Sequence, residues 1–170
     1  MYSLNVPLPP PVRALFREFR PHLVGFESVR DPRTATLVVK RLDAADRREY
    51  LRAERDANAA LRGAPAFEAR IADVGVFDVP TAGPGPVVYL AVESPGLHRV
   101  HRQLVDDLGR IEDLEGDDYT PHVTLARDGP RRAVERVRDV DFDPVTWTVD
   151  EIEFYDANVN ERIEAVPLPA

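Results

Sequence analysis

Residues 118–127 read Asp118-Tyr-Thr-Pro-His-Val-Thr-Leu-Ala-Arg127, and this stretch decides how the chain is read. Pro121 precedes a short apolar run, His122 to Ala126, that predicts a strand. Side chains two apart on a strand face the same side, so the imidazole of His122 and the hydroxyl of Thr124 point into one space. Such a pair can hold a phosphate: the hydroxyl donates to a phosphoryl oxygen while the histidine moves a proton near neutral pH. Arg127 lies nearby and can neutralise phosphate charge by a forked contact. An isolated HxT triplet is most often no more than a hydrogen-bonded histidine at a strand edge, so its surroundings decide its weight.

Upstream, Tyr2 to Val6 alternates as a short strand, and Pro9, Pro10 and Pro11 suit the first turn of a helix from Val12 to about His22. Thr34 to Leu42 is β-branched and apolar and predicts a buried strand. Ala44 to Leu61 is rich in helix formers, with Gly63 as its stop. Phe67 to Phe77 and Val87 to Val92 are strand-like, joined by a proline and glycine run, residues 80–86, that forms a loop or hairpin connection. Leu97 to Ile111 carries apolar residues at helical spacing, with Ser94 and Pro95 as its start signal. Downstream, Pro130 to Val137 predicts a short helix, and Val145 to Tyr155 and Arg162 to Val166 two strands. The order β α β α β β α β α β β falls into two similar halves around the proline and glycine loop. It predicts an α+β protein with mostly antiparallel sheets. No GxGxxG or P-loop string follows any strand, which disfavours a dinucleotide fold.

With 170 residues, 44% of them hydrophobic, one compact unit is expected. No apolar run is long enough to span a bilayer and no signal-peptide pattern opens the chain, so a cytoplasmic protein is expected. The absence of cysteine excludes disulfides, thiolate metal sites and cysteine nucleophiles. Thirty acidic residues against 22 basic ones give a net charge of -8, and Lys40 is the sole lysine. A salt-adapted (halophilic) cell and a GC-rich genome both fit this balance, and the former is the reading adopted. An acidic mean charge argues against binding duplex DNA through a broad basic face but leaves room for a small basic cleft.

In this setting residues 119–127 resemble the second signature of the two-histidine phosphoesterase superfamily, the group of 2'-5' RNA ligase-like proteins and cyclic phosphodiesterases. The signature is an aromatic residue, here Tyr119, then PHxTL, Pro121 to Leu125, and a following arginine, after a helix and an acidic loop. The resemblance implies a bilobal α+β fold over residues 1–170, with two mostly antiparallel sheets lining a central cleft and helices outside. It also implies a second HxT signature on the strand after the first helix. The matching frame is Thr34 to Leu37, TATL, 88 residues before His122. Thr36 keeps the threonine, but Thr34 stands in the histidine slot. A slip of one residue brings Arg33 or Ala35 there, and neither restores an imidazole.

In the mechanism the resemblance implies, one histidine is general base and the other general acid around a 2',3'-cyclic phosphate or 2'-5' phosphodiester. The two threonines hold phosphate oxygens, with no metal or cofactor. His122, Thr124, Thr36 and Thr34 are then the catalytic set, facing one another across the cleft, and RNA ends or small nucleotides are the substrates. Losing one positioned acid or base typically costs about 10²- to 10⁴-fold in rate. Two functions follow: an impaired cyclic phosphodiesterase or 2'-5' RNA ligase-like enzyme, working with His122 and a substitute such as water held by Thr34, or a non-catalytic nucleotide- or RNA-phosphate-binding module. A monomer is expected, with neither duplex DNA nor membrane as partner.

Arg127, Lys40 and Tyr119 are the candidate substrate-binding residues. A regular strand puts Lys40 on the side of Thr34 and Thr36 and turns Arg41 away, although Lys40 also suits a charge snorkelling at a strand end. Tyr119 can stack on a base or pack at the strand edge. His98 and His101 share a helix face but have no recognisable third metal ligand nearby, and the acidic stretch 112–118 lacks the register of a calcium loop and reads as solvated. Trp147, Phe154 and Tyr155 read as core, and Ser94 as a helix cap.

Overall fold

Proline, serine, aspartate and glycine set the helix ends. In a computed structural model, which describes residues 1–169, the first strand β1 (Tyr2–Val6) leads to helix α1 (Pro10–Phe19), with Pro10 and Pro11 in its first turn. Val12, Leu15, Phe16 and Phe19 form its buried stripe, and a 3-10 turn, Arg20–His22, extends it. A two-residue strand, β2 (Ser28–Val29), precedes β3 (Leu37–Leu42). Helix α2 (Arg47–Leu61) starts later than the composition suggests, because Asp46 takes the cap and accepts from the Glu49 amide at 2.8 Å. Strands β4 (Phe67–Phe77) and β5 (Val87–Glu93) precede α3 (Pro95–Leu108), whose cap is Ser94, as expected: its Oγ accepts from the Leu97 amide at 3.1 Å. Helix α3 ends three residues before Ile111 because Gly109, at φ 83°, turns left-handed. Then follow β6 (His122–Arg127), α4 (Arg131–Arg138), β7 (Val145–Val149), β8 (Glu151–Asp156) and β9 (Glu161–Pro167).

Two antiparallel sheets result, ordered β3-β1-β8-β9 and β2-β6-β5-β4-β7, with α2 against α3 and α3 against β3 and β4. The α+β architecture is the one the sequence predicts, but the sheets do not follow the two halves of the chain. The proline and glycine loop is a hairpin joining β4 to β5 inside one sheet. The predicted strand Val145 to Tyr155 is two strands in different sheets, β7 on β4 and β8 on β1. The reason is a change of parity: Val145, Trp147 and Val149 turn inward in β7, whereas Ile152 and Phe154 are the fully buried positions of β8. One period-2 strand cannot bury both sets. Phe154 and Tyr155 are core residues and Trp147 packs against that core, as their composition suggested. No helix among the described residues is long and apolar enough to cross a membrane.

Candidate active site

A cleft of about 410 Å³ opens where β3 of one sheet approaches β6 of the other. β6 contributes His122, Thr124 and Arg127 to its walls. Regular alternation would send Arg127 to the opposite face from Thr124. It does not, because β6 carries a bulge against β5: Thr124 pairs with Tyr89 and Ala126 with Val88, leaving Leu125 as the extra residue. Val123, Leu125 and Ala126 are buried behind the strand, and His122, Thr124 and Arg127 stay half-exposed on the cleft side. The Arg127 guanidinium is steadied by the hairpin loop, where the Ala82 carbonyl accepts from Nη1 at 3.1 Å. Gly83, at φ 74°, lies against this guanidinium with no room for a Cβ between them.

β3 repeats the device. Its register on β1 jumps from Lys40 opposite Leu4 to Val38 opposite Asn5, so Val39 is the extra residue. The phase change corrects two expectations. Arg41, not Lys40, joins Val38 on the cleft wall. Lys40 is buried, with its ammonium 2.7 Å from the Glu115 carboxylate and 2.8 Å from the Arg41 carbonyl. Glu115 is 1% exposed, so the acidic stretch is not solvated throughout. Its carboxylate also accepts from the amides of Arg41 and Ile111, each at 2.9 Å.

The threonine frame departs from expectation as well. Thr34 lies in a turn before β3, its amide and hydroxyl directed to the Asp31 carbonyl at 3.0 and 3.3 Å. Neither Thr34 nor Thr36 is among the residues that form the cleft wall. The strand starts only at Leu37, because the chain must first leave β2 and the Asp31–Thr34 turn.

His122 has a defined tautomer. Nδ1 is 2.6 Å from the Thr120 carbonyl, which can only accept, so Nδ1 carries a hydrogen and the neutral ring has a bare Nε2. Phe77 and Tyr89 flank the ring edge to face, with centroids 5.0 and 5.2 Å away. Burial pushes the imidazole below its ordinary range, the Thr120 bond opposes that, and the charges of Arg41 and Arg127 add to the lowering. The arrangement supplies a neutral proton acceptor, a hydroxyl and two guanidinium groups around one space.

Tyr119 lines the cleft, but its hydroxyl donates to the Val38 carbonyl at 2.8 Å and its ring stacks on His101 at 3.7 Å. Burial pushes its phenol well up. His101 is itself buried: Nδ1 donates to the Val39 carbonyl at 2.7 Å and Nε2 accepts from the Gly116 amide at 2.9 Å. Both ring nitrogens are thus engaged by backbone groups. Together Tyr119, His101, Glu115 and Lys40 satisfy backbone groups on the free edge of β3 and tie it to the loop that leads into β6. Sequence reasoning missed Arg41 in the cleft and this strap. No local signal marks either one: neighbours on any strand face opposite sides, and only the bulge decides that Arg41 rather than Lys40 takes the cleft side.

Residues 42–161 match the family model of the 2'-5' RNA ligase superfamily, a span that includes β6 and starts after the Thr34–Thr36 frame. No curated protein matches the sequence. Among solved structures, TT0787 of Thermus thermophilus is similar over 98% of this chain and 97% of its own, at 22% identity and a TM-score of 0.70. E. coli LigT complexed with phosphate is similar over 99% and 97% of the two chains, at 17% identity and a TM-score of 0.70. E. coli LigT complexed with 3'-AMP gives 99% and 98%, 18% identity and a TM-score of 0.66. At these identities the likeness is one of fold.

Proposed function

The chain belongs to the 2'-5' RNA ligase superfamily, and from that premise we propose that its cleft takes the phosphate of an RNA end or small nucleotide bearing a 2',3'-cyclic or 2'-linked phosphate. Turnover is slow because the first signature lacks its histidine. The observation that carries this reading is the His122 imidazole, held by Thr120 with Nε2 free beside Thr124, Arg127 and Arg41. The LigT complexes with phosphate and 3'-AMP support a ligand of this class.

In hydrolysis of a cyclic phosphate, a water oxygen bonds to phosphorus while one P–O ester bond breaks. His122 Nε2 takes the water's proton, a role suited to an imidazole whose protonation is disfavoured. Thr124 donates to a phosphoryl oxygen, and Arg127 and Arg41 compensate the charge that gathers on it. The departing ribose oxygen needs a proton in return. With threonine at position 34, solvent supplies it.

The test is hydrolysis of nucleoside 2',3'-cyclic phosphates in high salt without added metal, by the wild type, His122→Ala and Thr34→His. Wild-type turnover that His122→Ala removes supports a one-histidine enzyme. The second reading, a binding module, is favoured by the Thr34 hydroxyl being engaged by Asp31. It predicts a thermal shift by the cyclic phosphate, no wild-type turnover, and most of the affinity retained in His122→Ala. Neither turnover nor thermal shift in wild type and Thr34→His would defeat both readings.

A further inference from the structure

A second hollow, of about 780 Å³, lies between the end of α1 and the turn after β2. Arg17 and Arg20 enter it from the helix side and Arg30 and Arg33 from the turn, against one carboxylate, Asp31. Arg33 pairs with Asp31 at 2.8 Å. Arg17, Arg20 and Arg30 form no ion pair among the described residues and are exposed. In a chain with 30 acidic and 22 basic residues, four arginines facing one hollow form a concentrated positive patch. The same hollow has apolar surface: Val24 is 68% and Val29 48% exposed.

Its position ties it to the active site. Ser28 of β2 pairs with Arg127 of β6, and the Arg30 amide donates to the Leu125 carbonyl, at the bulge that brings Arg127 into the cleft. Along the chain, the Asp31–Thr34 turn leads from the hollow's lip toward β3, which lines the cleft through Val38 and Arg41.

We propose that this hollow is a groove for the backbone of a single-stranded RNA whose phosphate end sits at His122, making the substrate a polymer rather than a free nucleotide. Spaced guanidinium groups meet the phosphates of a strand, as in the charged grooves that track single-stranded backbones, and the exposed valines offer sequence-tolerant apolar contact to its sugars. The inference rests on the functional reading above, because it takes the strand's end from that cleft.

The experiment is fluorescence anisotropy with a single-stranded RNA of about twelve nucleotides, within the site sizes of such grooves, ending in a 2',3'-cyclic phosphate. It is run over a salt series on the wild type, the triple variant Arg17→Ala/Arg20→Ala/Arg30→Ala, the matching triple lysine variant, and the control Arg131→Ala/Arg132→Ala/Arg138→Ala on α4. We expect the alanine triple to bind more than about tenfold more weakly at low salt. Its slope of log affinity against log salt should fall by about 2, since each phosphate that is no longer neutralised removes about 0.7. The lysine triple should recover most of the slope, the α4 control should keep it, and the thermal shift with a nucleoside 2',3'-cyclic phosphate should be unchanged. An alanine triple that binds the RNA like the wild type, an equal loss in the α4 control, or equal arginine-dependent binding of a duplex of the same length would overturn the groove. Arginine-dependent RNA binding without any nucleotide thermal shift would instead sustain the groove and sink the cleft reading.

Discussion

β3 and β6 approach the same cleft from different sheets, and each carries a bulge that turns an arginine toward it. They differ in what precedes the bulge. β6 begins at His122, so its imidazole and the Thr124 hydroxyl are held by a ladder to β5. β3 begins only at Leu37, and its corresponding threonines lie outside the strand, Thr34 in a turn bonded to Asp31. One side of the site thus presents an imidazole and a hydroxyl beside its guanidinium, and the other presents a guanidinium without an imidazole. β3 is also an edge strand, and its outward backbone groups are met by Tyr119, His101, Glu115 and Lys40 rather than by a neighbouring strand. The comparison teaches that one cleft wall can carry an imidazole, a hydroxyl and a guanidinium while the other carries a guanidinium without an imidazole, each guanidinium placed by a bulge.

The largest expected effect comes from cutting the strap that holds β3. Glu115→Ala leaves Lys40 buried without a counter-charge and two amides without an acceptor, and should cost about 3–5 kcal/mol in urea unfolding. Adding Lys40→Met should recover only part of this, since the Arg41 and Ile111 amides stay unsatisfied. Full recovery would mean that the carboxylate serves the lysine alone.

A sharper comparison sets the two arginines against each other. Arg41→Ala and Arg127→Ala should each weaken binding of a nucleoside cyclic phosphate by about 10- to 100-fold, the range of a charged hydrogen bond worth about 1.5–3 kcal/mol. If Arg41→Ala has no effect while Arg127→Ala does, the bulge in β3 has no part in phosphate binding.

Acid should loosen the β3 strap through His101. Burial lowers His101 below its ordinary value of 6.5, so the unfolded chain takes up this proton first. The stability it contributes is complete above about pH 6.5 and is lost as pH falls toward the lowered folded value. His122 shifts the same way. Unfolding midpoints from pH 8 down to about pH 5.5 should fall, and less so for His101→Gln. An equal fall in both proteins would remove His101 from the account. The smallest effect is expected at the start of α3: Ser94→Ala, which loses the cap and the hydroxyl's donation to the Glu68 carbonyl, should cost about 1–2 kcal/mol in the same unfolding assay.

Much of this was legible in the residues. The proline start of α1, the Ser94 cap and the pairing of His122 with Thr124 on one face each depend on neighbours within a few positions, where local rules apply. The split at Asp150 was also present, as a parity change between Val149 and Ile152, but a continuous β-rich run hid it. The two bulges were not legible. Nothing local distinguishes Lys40 from Arg41, or tells Arg127 to break step with Thr124.

What the sequence determined by itself was the α+β order of elements, the resemblance to the two-histidine phosphoesterases through residues 119–127, and the lack of an imidazole at or beside position 34. Tertiary structure alone decided that Arg41 faces the cleft, that Lys40 and Glu115 are sealed together, and that Thr34 belongs to a turn. The reason is that a bulge is set by the partner strand's register and by the groups that meet an edge. For β3 those groups come from residues 101 to 119, more than sixty positions along the chain.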